Sequence, residues 1–305
     1  MSTTVREGRC KKLLRHYIKT EKEGLSTFFP DDSLDGYAAR GDAMIKSLVE
    51  IGCSRERAEQ FSVLVLFDLV ILLDDSGSME LADEGRRKST LLEVLKAVTD
   101  IYQLARDKGI VSVRFFNTRN EWQDVTRDKV EELHAAIEYY GVTMIGTQLQ
   151  QKILKPFVEG KKMERPLLTM VITDGNIEGE KRGLLRKNIR NCITKLQAAS
   201  EKTHHAVAFY FARIGHDQGA KELIEELDND TELGSWIDCL PVTSRLEDIG
   251  NRSHPDHWDV LRKLLLGALY RDIDNIDDYD NEVDTDAPQM SLQVPAVPTE
   301  ESDQE

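Results

Sequence analysis

The chain has 305 residues, with 40 Lys plus Arg against 55 Asp plus Glu and a formal net charge of −15. That length allows one large α/β unit with extensions or two small ones, and an acidic balance argues against general nucleic-acid binding, which needs a basic face. No apolar run approaches the roughly 20 residues of a membrane span; the longest, Val63 to Leu73, is interrupted by Asp68.

Residues 1–24 are basic: Arg6, Arg9, Lys11, Lys12, Arg15, Lys19 and Lys22 face only Glu7, Glu21 and Glu23. Cys10, Leu13, Leu14, Tyr17 and Ile18 recur at helical spacing, which predicts an amphipathic helix. It either docks on the rest of the chain with its charges solvated, the reading favoured here, or offers a surface to an acidic partner or membrane. After a loop at residues 25–36, a second helix is predicted from Tyr37 to Ile51, stopped by Gly52. Ser54 then caps a third that runs toward Leu66. The Leu48-Val49-Glu50-Ile51-Gly52 stretch is similar to part of a ubiquitin-associated domain, but that domain's full third helix is missing before the next strand.

Asp68 to Leu73 is an apolar, branched run of the kind buried on both faces of a parallel sheet. A helix follows from Lys88 to Lys108, ended by Gly109, and then a strand from Val111 to Phe116. Glu121 to Val125 returns as a short antiparallel edge strand. Thr126 caps a helix to Tyr140, and Gln148 to Val158 forms another. Leu167 to Ile172 is a further strand. Helix Glu180 to Ser200, strand His205 to Arg213, helix Asp217 to Leu227, strand Trp236 to Val242 and helix Asp256 to Tyr270 complete the series. This alternation predicts an α/β fold with a doubly wound, mostly parallel, Rossmann-like central sheet. Residues 271–305 hold twelve acidic side chains and one basic one, and residues 275–305 read as disordered. The chain thus divides into a helical N-terminal extension (1–66), an α/β domain (67–272) and an acidic tail (273–305). Cys10, Cys53, Cys192 and Cys239 are widely spaced and read as reduced thiols. With no apolar leader segment, a cytoplasmic location is expected.

The first strand ends abruptly in Asp74-Asp75-Ser76-Gly77-Ser78. In an open α/β sheet the carboxyl end of a central strand is where ligands bind, and this loop offers hard oxygens suited to Mg²⁺, Mn²⁺ or Ca²⁺. Asp74-x-Ser76-x-Ser78 resembles the DxSxS signature of the von Willebrand factor A (VWA) domain. Gly146-Thr147 and Thr173-Asp174-Gly175 resemble the two other loops of that family's metal-ion-dependent adhesion site, in the same order. The resemblance covers Asp68 to Tyr270, and within the family the chain looks most like stand-alone intracellular VWA proteins of fungi. It implies direct metal ligation by Ser76 and Ser78, and by Thr147 in the ligand-engaged state. Asp74 and Asp174 would act mainly through bound water and hold the hydroxyls.

Neutral hydroxyl ligands leave much of the cation's charge intact, and an open position exchanges water for a partner's carboxylate. The expected activity is therefore divalent-cation-dependent binding of a protein that presents an exposed Asp or Glu, without nucleic acid and without a membrane. Asp75, Asp83 and Glu84 crowd the same loop; they could add a second cation or raise metal affinity, and the favoured reading is solvated loop charges. No phosphate loop, His-Glu-x-x-His or nucleophile elbow is present. The alternative is a metal-dependent, phosphoesterase-like hydrolase using the same cation, with His216 as the one histidine placed to act as a base. The acidic tail is expected to remain a free solubilising segment; its carboxylates could instead fold back on the basic N-terminal helix or the metal.

Overall fold

The computed structural model describes residues 8–270 and 273, apart from residues 23, 82, 161–162, 176, 200–203, 241–245 and 247–248. Six strands build one sheet among the described residues: β1 (Asp68–Leu73), β2 (Ile110–Phe115), β3 (Glu121–Val125), β4 (Leu167–Thr173), β5 (Val207–Arg213) and β6 (Ile237–Cys239). Their order across the sheet is β3-β2-β1-β4-β5-β6. Only β3 is antiparallel to its neighbour, with Val113 opposite Trp122.

Among the described residues the ten α-helices are α1 (Arg9–Thr20), α2 (Leu34–Glu50), α3 (Arg55–Phe61), α4 (Ser78–Leu81), α5 (Arg86–Ala105), α6 (Val130–Ala135), α7 (Ile145–Gln148), α8 (Leu184–Ala199), α9 (Gln218–Asp228) and α10 (His257–Leu266). Helix α7 runs on as a π-helical stretch, Leu149–Glu159, that contains Pro156.

Alternation along β1 shows how the sheet divides the core. Leu69, Ile71 and Leu73 join one buried cluster, with side chains from α1, α2, α3, α5 and α10. Val70 and Leu72 join a second, with Leu149 and Ile153, Leu185 and Ile189, and Ile224. A period of two along a strand puts successive side chains on opposite faces, so both faces of β1 are covered, as the unbroken apolar run requires. Tyr102 of α5 anchors the start of this strand. Its hydroxyl donates to the Phe67 carbonyl at 2.7 Å and accepts from the Leu69 N–H at 2.9 Å.

The N-terminal helices are part of the same packing. Cys10, Leu14, Tyr17, Leu48 and Phe61 belong to the first cluster, and the Tyr17 hydroxyl donates to the Leu269 carbonyl at 3.0 Å. Three basic residues of α1 find nearby acids: Arg9 pairs with Glu59, Lys11 with Asp35 and Arg15 with Asp31, while Lys12 and Lys19 are exposed. Helix α1 is thus docked, with these charges used internally. Residues 1–7 and 274–305 lie outside the described residues, and with them the acidic tail.

Several helix ends differ from expectation. Helix α6 stops at Ala135 rather than Tyr140, because the Tyr140 N–H donates instead to the Asp75 carbonyl at 2.8 Å and draws the chain out of the helix. Helix α8 begins at Leu184 rather than Glu180, after Gly183 in the left-handed region at φ 77°. The Glu180 side chain is engaged elsewhere. Strand β5 begins at Val207, because His204–Ala206 forms a 3-10 turn before it. The four cysteines are buried free thiols. No described helix is long and apolar enough to cross a membrane.

Candidate metal centre

The chain passes from β1 to β2 and β3 on one side, then returns to β4 on the other side of β1. The loops after β1 and β4 therefore diverge at the point where strand order reverses, which is where open α/β sheets bind ligands. Pairing of the two strands fixes this end: Leu73 lies opposite Ile172, and the Asp74 N–H donates to the Ile172 carbonyl at 2.9 Å. Asp74 and Asp174 consequently leave the sheet side by side.

Four of the sequence-derived residues form one hydrogen-bonded cluster. The Ser76 and Ser78 hydroxyl oxygens are 3.0 Å apart, and the Ser78 hydroxyl donates to Asp174 Oδ1 at 3.0 Å. Asp74 Oδ1 accepts the Ser76 N–H at 2.9 Å, which closes the tight loop. Asp74 Oδ2 accepts the Thr173 hydroxyl at 2.6 Å. Ser76, Asp74 and Asp174 are buried. Burial first, then the neighbouring Asp174, raises the Asp74 carboxyl to about 6. Asp174 is also raised by burial, opposed by the Arg87 guanidinium, which pairs with its Oδ2 and donates through Nε to Asp83 Oδ2 at 2.7 Å.

The threonine differs from the sequence-based assignment. The hydroxyl that reaches the cluster is that of Thr143, 3.5 Å from Asp74 Oδ2 and buried. Thr147 lies inside α7 and makes no hydrogen bond through its hydroxyl among the described residues. Its N–H, with that of Gly146, is held by the Glu180 carboxylate at 2.7 and 2.8 Å. A helix start leaves its first N–H groups without internal partners, and Glu180 supplies the acceptor from the loop after β4. The sequence held a signal for this. Ile145, Leu149 and Ile153 repeat at helical spacing, which puts the helix start before Thr147 and leaves Thr143 in the loop.

Asp75 is likewise not a solvated charge. It is fully buried and accepts the Asn117 N–H and the Thr118 N–H, each at 2.7 Å, which ties the DxSxS loop to the loop after β2. Glu84 is exposed, and Asp83 is paired with Arg87. Tyr139 places a buried phenol oxygen without a hydrogen bond among the described residues; burial, then Glu80, Asp75 and Asp74, raise its pKa. His216 is exposed and makes no hydrogen bond among the described residues; it follows Gly215, which lies against the Arg87–Asp83 pair beside Asp174.

The donor set fits a hard divalent cation. Adjacent ligands of an octahedral Mg²⁺ at about 2.1 Å stand about 3 Å apart, and the Ser76 and Ser78 hydroxyl oxygens are 3.0 Å apart, with Ser78 held by Asp174 behind it. No group of three or more His, Cys, Asp or Glu side chains converges as a metal site among the described residues. Any cation here would rest on hydroxyls with two carboxylates behind them.

No protein-family model matches the chain, and no curated protein matches it. Among solved structures it is similar to a von Willebrand factor type A protein from Catenulispora acidiphila, at 16% identity and a TM-score of 0.39. That likeness covers 65% of this chain and 42% of the other, so the chain spans less than half the length of that structure.

Proposed function

We propose that this protein is a cytoplasmic, VWA-like interaction module that binds Mg²⁺, Mn²⁺ or Ca²⁺ at the β1–β4 switch point and captures a carboxylate of a protein partner there. The observation that carries the reading is the Ser78 hydroxyl, which stands 3.0 Å from both the Ser76 hydroxyl and Asp174 Oδ1 at the switch point. Ser76 and Ser78 would hold the ion directly. Asp74 and Asp174 would orient them from behind, and Thr143 would take the threonine role that sequence alone gave to Thr147. The bound cation would supply an electrophilic position at which a partner's Asp or Glu replaces water. Arg87 keeps Asp174 in place and offsets part of the buried negative charge.

Retention of partner proteins from cell extract on immobilised full-length chain, in Mg²⁺ and in EDTA, tests this function. Bands present in Mg²⁺, lost in EDTA and lost with Asp174→Ala are expected. The same bands on wild type and variant, indifferent to EDTA, would rule the reading out.

A further inference from the structure

Five large hydrophobic side chains are exposed among the described residues: Val49, Ile51, Leu81, Tyr140 and Val142. Val49 and Ile51 sit together at the end of α2. The other three stand on segments that carry the candidate metal centre: Leu81 on α4, and Tyr140 and Val142 on the loop before α7. Leu81 is 84% exposed and lies one helical turn beyond Ser78, at the end of α4. The backbone N–H of Tyr140 is bonded to the Asp75 carbonyl at 2.8 Å, so this residue rests directly on the DxSxS loop. Val142 precedes Thr143, whose carbonyl accepts the Glu178 N–H at 2.9 Å, and its side chain lies beside Gly179. Single exposed hydrophobic residues are ordinary, but a group of them rimmed by charge marks a contact surface. The rim is present: Lys88 pairs with Glu80 at 3.1 Å and lies over the Tyr139 ring at 4.9 Å.

We infer that Leu81, Tyr140 and Val142 form the apolar collar of this site, and that its partner is a protein segment in which an Asp or Glu is flanked by large apolar side chains. The inference rests on the cation-and-carboxylate reading above and adds the residues beside the carboxylate. Hydroxyls and carboxylates line the centre, so only a cation there makes it attractive to an acid; the apolar residues around it reward apolar neighbours of that acid. A carboxylate between small polar residues would meet the cation and leave the collar in water. Aromatic and aliphatic anchors near the centre of an interface carry most of its affinity.

The test uses the full-length chain and three fluorescent heptapeptides: a central Asp flanked by leucines, its Asn twin, and its twin with serines in place of the leucines. Binding is read by anisotropy with Mg²⁺ and with EDTA. The leucine-flanked Asp peptide should bind in Mg²⁺ only. The Asn twin and the serine-flanked twin should each bind about tenfold more weakly or worse. Leu81→Ser with Tyr140→Ser should erase the preference for leucine while retaining Mn²⁺ binding by calorimetry, which shows that the variant is folded with its centre intact. Equal binding of the leucine- and serine-flanked Asp peptides, an unchanged preference in the double variant, or no binding of any peptide would overturn the inference. Dimerisation of the wild-type chain that Leu81→Ser abolishes would also overturn it, since the collar would then be covered by a second copy. Mn²⁺ binding that survives Asp174→Ala would instead sink the underlying metal reading.

Discussion

Asp74 is asked to do most at this centre. It is buried, accepts the Ser76 N–H and the Thr173 hydroxyl, and has Thr143 at 3.5 Å. Its carboxyl, raised to about 6 by burial and Asp174, is higher in the folded chain than in the unfolded one. The stability it contributes is therefore fully present below its unfolded value of about 3.9 and is lost as pH rises through about 6. Cation binding has the opposite sense, because the ion competes with that proton. Mn²⁺ affinity should fall about tenfold between pH 7 and pH 5, one unit below the raised value; a flat affinity over that range would show that Asp74 is not part of the binding group. The two threonines separate in the same titration. Thr143→Ala should weaken Mn²⁺ binding clearly and Thr147→Ala should leave it near wild type, whereas the reverse order would restore the sequence-derived assignment.

At the scale of elements, the centre depends on how closely α7 approaches α8. A Cβ at Gly146 would lie 2.6 Å from the Leu185 backbone nitrogen and 2.8 Å from its Cα. Backbone cannot yield as a side-chain tip can, so Gly146→Ala must push α7 outward and carry Thr143 with it. A cost of about 1–3 kcal/mol in unfolding free energy is expected from overpacking, with weaker cation binding. Chemical denaturation and calorimetry on the variant would measure both, and a variant matching wild type in both would contradict the placement. These elements also show what sequence could convey. Strand Asp68–Leu73 and edge strand Glu121–Val125 were legible to the residue, because apolar runs and alternation dictate them locally. The end of α6 and the start of α8 were not, whereas the helical spacing of Ile145, Leu149 and Ile153 did point to Thr143. Both boundaries are decided by bonds between distant segments: Tyr140 to Asp75, and Glu180 to Gly146 and Thr147. The buried role of Asp75 was hidden for the same reason, since its partners come from the loop after β2.

For the whole molecule, the described residues of the N-terminal extension, from 8 to 66, share a core with the sheet. Leu14, Leu48, Phe61 and Leu64 are buried in the same cluster as Leu69, Ile71 and Val98. Removing residues 1–66 should expose that face of the sheet and abolish cooperative melting at the wild-type temperature. A 67–305 fragment that melts cooperatively at an unchanged temperature would mean the extension contributes little to stability. The central claim is that the hydroxyl–carboxylate cluster at the β1–β4 switch point holds a divalent cation, and calorimetric titration of Mn²⁺ into the wild-type chain and into Asp74→Ala and Asp174→Ala tests it most directly. One saturable site in the wild type, lost in both variants, is the predicted result; undiminished binding in both variants, or no binding to the wild type, would contradict the account.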